Sequence, residues 1–331
     1  MKRRKFIAAL AAGLSFPRIT EALSGQQLMT SEKSEKNREK TETVVKVLGT
    51  AQDGGFPHFG CYCKNCHRAR AKPGFSRFIS SLALIDMQER KAFILDASPD
   101  IRPQLDMIRA GMDKEEAGLK YLPQGIILTH AHIGHYTGLV FFGYEASNSL
   151  NLPVYCSERM ASFLEKNGPW SQLVRLKNIS LQPFPMEKEI SLTPHISIIP
   201  FTVPHRDEYT DTIGFMIKGR KKKLLYIPDI SSWEAWEKSI VNEVSRVEIA
   251  ILDGTFYSPQ ELPGRDLSKI GHPFIKSSLE RLKDVAARKR SKIFFTHLNH
   301  TNPALDPGSK ERAEIKKSGF RLASDGREFY L

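Results

Sequence analysis

The 331-residue chain holds no apolar run long enough to cross a bilayer, which takes roughly 20 residues of helix; its apolar stretch at 6–16 falls well short. A membrane-spanning protein is thereby excluded as an expectation, and the processed chain reads as soluble. No internal repeat is visible. Acidic residues are outnumbered, 37 against 49 Lys and Arg, for a net charge of +12. The surplus is scattered over Lys2 to Lys5, residues 220–223 and residues 288–292. Aromatics able to stack bases are not interleaved with it, so nucleic acid is not an expected partner. A basic surface that favours small anionic substrates is the remaining reading. Cysteine is scarce, at four, yet Cys61, Cys63 and Cys66 stand together as CxCxxC in a loop flanked by Gly and Pro. Thiolates at that density are metal ligands, a redox pair or unpaired thiols. Cys156, in the apolar run 152–156, reads as a buried structural thiol.

Three segments follow from composition. Adjacent Arg3 and Arg4 precede the short apolar run and Pro17, as in a twin-arginine-type export signal over residues 1–23, cut near Ala22 or Ser24. That address implies the export machinery as a partner and the periplasm as the destination. Residues 24–43 are rich in Ser, Glu, Lys and Gln with scarcely an apolar side chain, and read as a disordered linker. Residues 44–331 are ample for one domain. Apolar, β-branched runs predict strands at 44–50, 81–87, 91–96, 196–203, 212–218, 223–227, 247–252, 292–296 and 327–330. Helical spacing predicts helices at 99–110, 157–165, 231–240 and 274–287.

The chemistry is concentrated at strand ends. Thr129-His130-Ala131-His132-Ile133-Gly134-His135 follows the apolar stretch 125–128 and packs three imidazoles into six residues. Neutral imidazole is a preferred ligand of zinc, and i, i+2 spacing on an extended turn aims two rings at one point. His205, Asp229 and His297 each follow a further short apolar run. Imidazoles and a carboxylate gathered at one sheet edge are what a metal-dependent hydrolase needs to bind and activate water.

Over residues 44–331 the chain resembles the metallo-β-lactamase superfamily, whose HxHxDH signature is followed by a distant His, Asp and His in that order. The resemblance implies an α+β fold, a four-layer αββα sandwich. Residues 48–55 and Gly60 to Cys66 resemble the opening of pyrroloquinoline quinone biosynthesis protein B and of the phosphoribosyl cyclic phosphodiesterase of phosphonate breakdown. Residues 96–102 and 300–303 lean towards the quinone protein, and the histidines towards the phosphodiesterase. The superfamily pattern implies a first metal on His130, His132, His205 and Asp229. A second would use His135, bridging Asp229 and His297, but the Asp of HxHxDH is Gly134 here, so that position is expected to be weak and a mononuclear centre is the alternative. By the phosphodiesterase pattern, Cys61, Cys63, Cys66 and His300 would hold a structural zinc; a Cys63–Cys66 disulfide would leave Cys61 unexplained.

His272, at the head of an amphipathic helix, matches a histidine that donates a proton to the leaving oxygen in the phosphodiesterase branch, which includes ribonuclease Z. Asp253 and Asp96 are expected to orient ligand imidazoles. Gln52 and Asp53, in a glycine-rich turn, are candidates for contact with substrate or for supporting the ligands, although turn chemistry alone would explain Asp-Gly-Gly. His58, His67 and His195 read as surface or loop residues. The expectation is a zinc-dependent hydrolase of a phosphodiester or related small ester, with Mn2+ or Fe2+ as other options at the catalytic site. His272 and Asp229 are its catalytic residues. The alternatives are a role in quinone cofactor biosynthesis or carriage, and a non-catalytic metal-binding protein. Oligomeric state is left open, a homodimer being one option.

Overall fold

A computed structural model describes residues 43–109, 122–288 and 292–331. The expected export signal, and the expected linker except its last residue, lie outside the described residues. That last residue, Thr43, already belongs to the first strand.

The strands in chain order are β1 Thr43–Gly49, β2 Ser81–Asp86, β3 Lys91–Leu95, β4 Gly125–Ile127, β5 Leu152–Cys156, β6 Ile179–Pro183, β7 Ile190–Thr193, β8 Ile196–Val203, β9 Thr212–Lys218, β10 Lys223–Ile227, β11 Ile249–Asp253, β12 Lys292–Thr296, β13 Arg321–Leu322 and β14 Glu328–Tyr330. They form two seven-stranded sheets, ordered β14-β1-β2-β3-β4-β5-β6 and β13-β12-β11-β10-β9-β8-β7. In each, one half is parallel and the other antiparallel; the antiparallel β1–β2 connection is long and holds the helix Lys64–Ala71. Alternation within the strands builds the layers. Val45, Leu84, Phe93 and Leu95 face Phe215, Tyr226, Ile251 and Phe294 across the gap between the sheets. Their neighbours Val44, Ala83, Ile85 and Ile94 pack beneath the helices Ile101–Arg109 and Glu158–Lys166, and Leu225, Ala250, Leu252 and Phe295 beneath Ile275–Ala287. Both faces of the central strands are thus buried, which is why they read as continuous apolar runs rather than as alternating patterns. The result is the αββα sandwich that the resemblance implies.

One expectation needs correction. Residues 231–239 are bends, not helix; the helix is Ile240–Ser245, capped by Ser239, whose hydroxyl accepts from the Asn242 amide. Trp233 and Trp236 supplied the helical spacing, but each is pinned separately, Nε1 of Trp233 donating to Ser278 Oγ (2.9 Å) and Nε1 of Trp236 to the Thr202 carbonyl (2.9 Å). Tertiary hydrogen bonds override a weak local preference. His195 is a loop residue, as expected, in the β7–β8 turn, and it has a partner. Its Nδ1 lies 2.9 Å from Asp86 Oδ2, which also accepts from Thr193 Oγ1 at 2.6 Å, pinning β2 of one sheet to the β7–β8 turn of the other. Among the described residues no helix is long and apolar enough to cross a membrane.

Candidate metal centre

The parallel strands end at a common edge, where open α/β sheets place their ligands. Asp96 follows β3; Thr129, His130 and His132 follow β4; His205 follows β8; Asp229 follows β10; Asp253 ends β11; His297 follows β12. Asp96 and His297 adopt left-handed backbone conformations, with φ of 71° and 59°. For non-glycine residues this is a strained geometry, of the kind that collects at functional sites.

The structure brings the expected first set together: His130, His132, His205 and Asp229 each offer a donor atom within 4.8 Å of the others. His130 Nε2 is 3.4 Å from Asp229 Oδ2, and His205 Nε2 is 3.2 Å from Asp229 Oδ1. A second group joins His135 and His297 not with residue 134 but with Asp53, whose Oδ1 is 3.5 Å from His135 Nε2 and 3.7 Å from His297 Nε2. Six buried atoms, the Nε2 of His130, His135, His205 and His297 and the Oδ1 of Asp229 and Asp53, have no hydrogen-bond partner among the described residues. Polar atoms are costly to leave so. Their arrangement in two clusters fits the binding of divalent cations, which would satisfy atoms the fold leaves unpaired.

The opposite ring nitrogens are engaged, which fixes the tautomers. His130 Nδ1 donates to Thr129 Oγ1 (2.9 Å), which in turn donates to Asp96 (2.9 Å), while His135 Nδ1 donates directly to Asp96 Oδ2 (2.8 Å). The second sheet repeats the device. His297 Nδ1 donates to Thr255 Oγ1 (2.9 Å), Thr255 donates to Asp253 Oδ1 (2.8 Å), and His272 Nδ1 donates to Asp253 Oδ2 (2.9 Å). Each Asp–Thr pair therefore orients two imidazoles and turns their Nε2 atoms into the pocket, those of His130, His135 and His297 as ligands and that of His272 as a proton carrier. Thr129 and Thr255 escaped the sequence reading because a lone hydroxyl just after a strand carries no periodic signal.

Electrostatics follow from burial and neighbours. Burial holds His130 well below the ordinary imidazole range and lowers His132. Burial alone would lower His135, but Asp96 and Asp53 raise it well above that range. It would likewise lower His272, yet Asp253 and Asp229 lift it to about 10. Asp229 and Asp53 are both held well below the usual carboxylate range, against the opposing effect of burial, by the imidazoles around them.

Beside this pocket, Cys61, Cys63, Cys66 and His300 form a second cluster, with His300 Nδ1 3.5 Å from the Sγ atoms of both Cys63 and Cys66. All four cysteines are free thiols, so no disulfide competes. Three sulfurs and one nitrogen fit a closed tetrahedral zinc. His58 also belongs here rather than to the open surface: its ring packs 4.3 Å from that of His300, and its backbone amide faces Cys66 Sγ at 3.3 Å. His67 is exposed. Cys156 is buried, and burial pushes its thiol up to about 12, as befits an inert residue.

Known proteins agree with this architecture. A family model described as a beta-lactamase superfamily domain matches residues 91–298. A Coenzyme PQQ synthesis protein B from Nitrosococcus oceani is 26% identical over 87% of this chain and 100% of its own length. The crystal structure of zinc-bound PqqB from Methylobacterium extorquens is similar with a TM-score of 0.74 at 24% identity, covering 87% of this chain and 100% of that one. A diphosphatase of the PhnP family gives 0.62 at 21% identity, covering 88% and 97%. The chain belongs to the metallo-β-lactamase superfamily, and within it is similar to PqqB.

Proposed function

We propose that the protein is a metal-dependent hydrolase of small anionic esters, with phosphodiesters the class to try first. The observation that carries this reading is the set of six unpartnered buried donor atoms converging at the sheet edge. A divalent ion held there by His130, His132, His205 and Asp229 supplies Lewis-acid activation of water and of the ester. Zinc suits so nitrogen-rich a donor set, with manganese or iron as options.

The chain's own residues do the rest. His272, fixed through Nδ1 by Asp253, has Nε2 left to deliver a proton to a leaving oxygen. Asp229 sits between His130, His205 and His272, 3.2–3.4 Å from a nitrogen of each. At the rim, exposed Arg206 has a guanidinium nitrogen 3.5 Å from His132 Nε2 and pairs with Glu208, which is itself 3.4 Å from that Nε2, so substrate would meet both charges on entering.

A second reading, a part in quinone cofactor biosynthesis, is favoured by the full-length similarity to Coenzyme PQQ synthesis protein B. The two separate in one experiment on the metal-loaded protein. A hydrolase cleaves a chromogenic phosphodiester, loses that activity on chelation, and falls by about 100-fold or more in His130→Ala, as expected when a catalytic group is removed. No turnover of any ester, together with a quinone chromophore retained through purification, would transfer the assignment to the cofactor reading.

A further inference from the structure

Gly134 stands where the superfamily signature has a metal-binding carboxylate, and the space beside it is already taken. A Cβ on Gly134 would lie 2.2 Å from Asp53 Oδ1, 2.9 Å from Asp53 Cα and 3.0 Å from Asp53 Cγ. A side chain at position 134 and the carboxylate of Asp53 therefore exclude one another. Asp53 reaches this place from an unrelated part of the chain, the loop after β1, 81 positions earlier in the sequence (134 − 53). Its Oδ1 is buried and unpartnered, and so are the His135 and His297 Nε2 atoms that it faces. The three donors lie within 4.8 Å of one another, and Asp229 Oδ2 is 3.8 Å from His297 Nε2. Ligands about 2.0–2.1 Å from one tetrahedral ion stand about 3.3 Å apart, so small side-chain adjustments would bring these atoms onto a shared cation.

We infer that Asp53 is the carboxylate ligand of a second metal position, with His135, His297 and a bridging Asp229, and that Gly134 is the residue that makes room for it. The ligand has moved to another loop while its place in space is kept. The position then has four protein ligands rather than three, and the centre is dinuclear, which suits in-line displacement at phosphorus. This inference rests on the metal-dependent reading of the pocket.

The loop is built to hold a ligand in place. The Ala51 amide donates to the Phe78 carbonyl (2.9 Å), that of Gln52 to the Leu298 carbonyl (3.1 Å) and that of Gly55 to the Gln52 carbonyl (2.7 Å). The His58 ring packs so closely on Gly54 that a Cβ there would meet its Nε2 at 2.3 Å, and the same ring leans on His300 of the cysteine cluster. Asp53 is thus anchored from both sides of the turn.

The test counts and titrates zinc on the purified full chain by elemental analysis and competition with a chromophoric chelator. The wild type is expected to bind three ions, one at the cysteine cluster and two in the pocket. Asp53→Asn, nearly isosteric, should weaken one pocket ion by about 100-fold or more and leave the other two. Gly134→Asp should weaken the same ion, because its Cβ would meet Asp53 Oδ1 at 2.2 Å and Asp53 Cα at 2.9 Å and so displace the ligand. Wild-type affinity for all three ions in Asp53→Asn would overturn the inference, as would a single pocket ion in the wild type that is lost in His130→Ala and indifferent to Asp53. No pocket ion at all would overturn the metal-dependent reading together with it.

Discussion

Replacing Asp96 by Asn changes one atom and tests how the pocket is wired. The wild-type carboxylate is fully buried and accepts from the Thr129 amide (2.8 Å), the Thr129 hydroxyl (2.9 Å) and His135 Nδ1 (2.8 Å). In Asn, one oxygen can still serve both Thr129 donors, so the Thr129 relay to His130 survives. The new amide faces His135 Nδ1, which must then act as acceptor and carry its proton on Nε2, the atom aimed at the pocket. Restoring the useful tautomer forfeits a charge-assisted hydrogen bond worth about 1.5–3 kcal/mol, or about 10- to 100-fold in affinity for an ion on His135, in line with the usual effect of losing such support. Competitive zinc titration should therefore show the ion held by His135 weakened by that factor, with the ion on His130, His132, His205 and Asp229 changed far less. Equal weakening of both ions, or no change in either, would refute the argument that Asp96 acts through the His135 tautomer.

Two further outcomes follow from the structure. Cys66→Ser should remove one zinc per chain, leave the pocket ions in place and lower the unfolding free energy measured with urea, because the loop would lose its anchor to the β12 edge; in the free cluster burial pushes the Cys66 thiol up to about 12, so zinc uptake there should release a proton and strengthen as pH rises. Burial raises Glu261 to about 7 in the fold from an ordinary 4.5. Its raised value means that the native state holds a proton the unfolded chain has shed, so native stability falls as pH climbs from about 4.5 to 7. Discounted for partial exposure, the penalty above pH 7 is about 1–2 kcal/mol. Glu261→Gln should accordingly raise Tm at pH 8 and leave it nearly unchanged at pH 4, as followed by circular dichroism; an equal shift at both pH values would show that the charge is not the cause.

The strands were legible because their burial is extreme. β1, β10, β11 and β12 carry apolar side chains on both faces, and a run of that kind between turn residues has few other readings. The histidines were legible for a related reason: each stands directly after such a run, and the order of His130, His132, His135, His205, Asp229 and His297 along the chain reflects the order in which the strands reach one edge. The short edge strands β6, β7 and β13 set few apolar residues among polar ones and were not expected. The helix expected over 231–240 failed because Trp233 and Trp236 mimic helical spacing while their indole N–H groups bond to different elements.

By itself the sequence determined the residue types that could hold a metal, the strands that carry them and the family pattern they fit. It could not show what replaces a missing carboxylate. The absence of a side chain at Gly134 reads as a lost ligand along the chain, whereas Asp53 fills that space through folding, because the turns after β1 and β4, strands separated by β2 and β3 in one sheet, meet only once that sheet has formed. Proximity of this kind is a property of packing, and so are the tautomers set by Thr129 and Thr255, the contact of His58 with His300 and the pairing of His195 with Asp86. Each joins residues distant in sequence or silent in its periodicity, and each was decided by the tertiary structure alone.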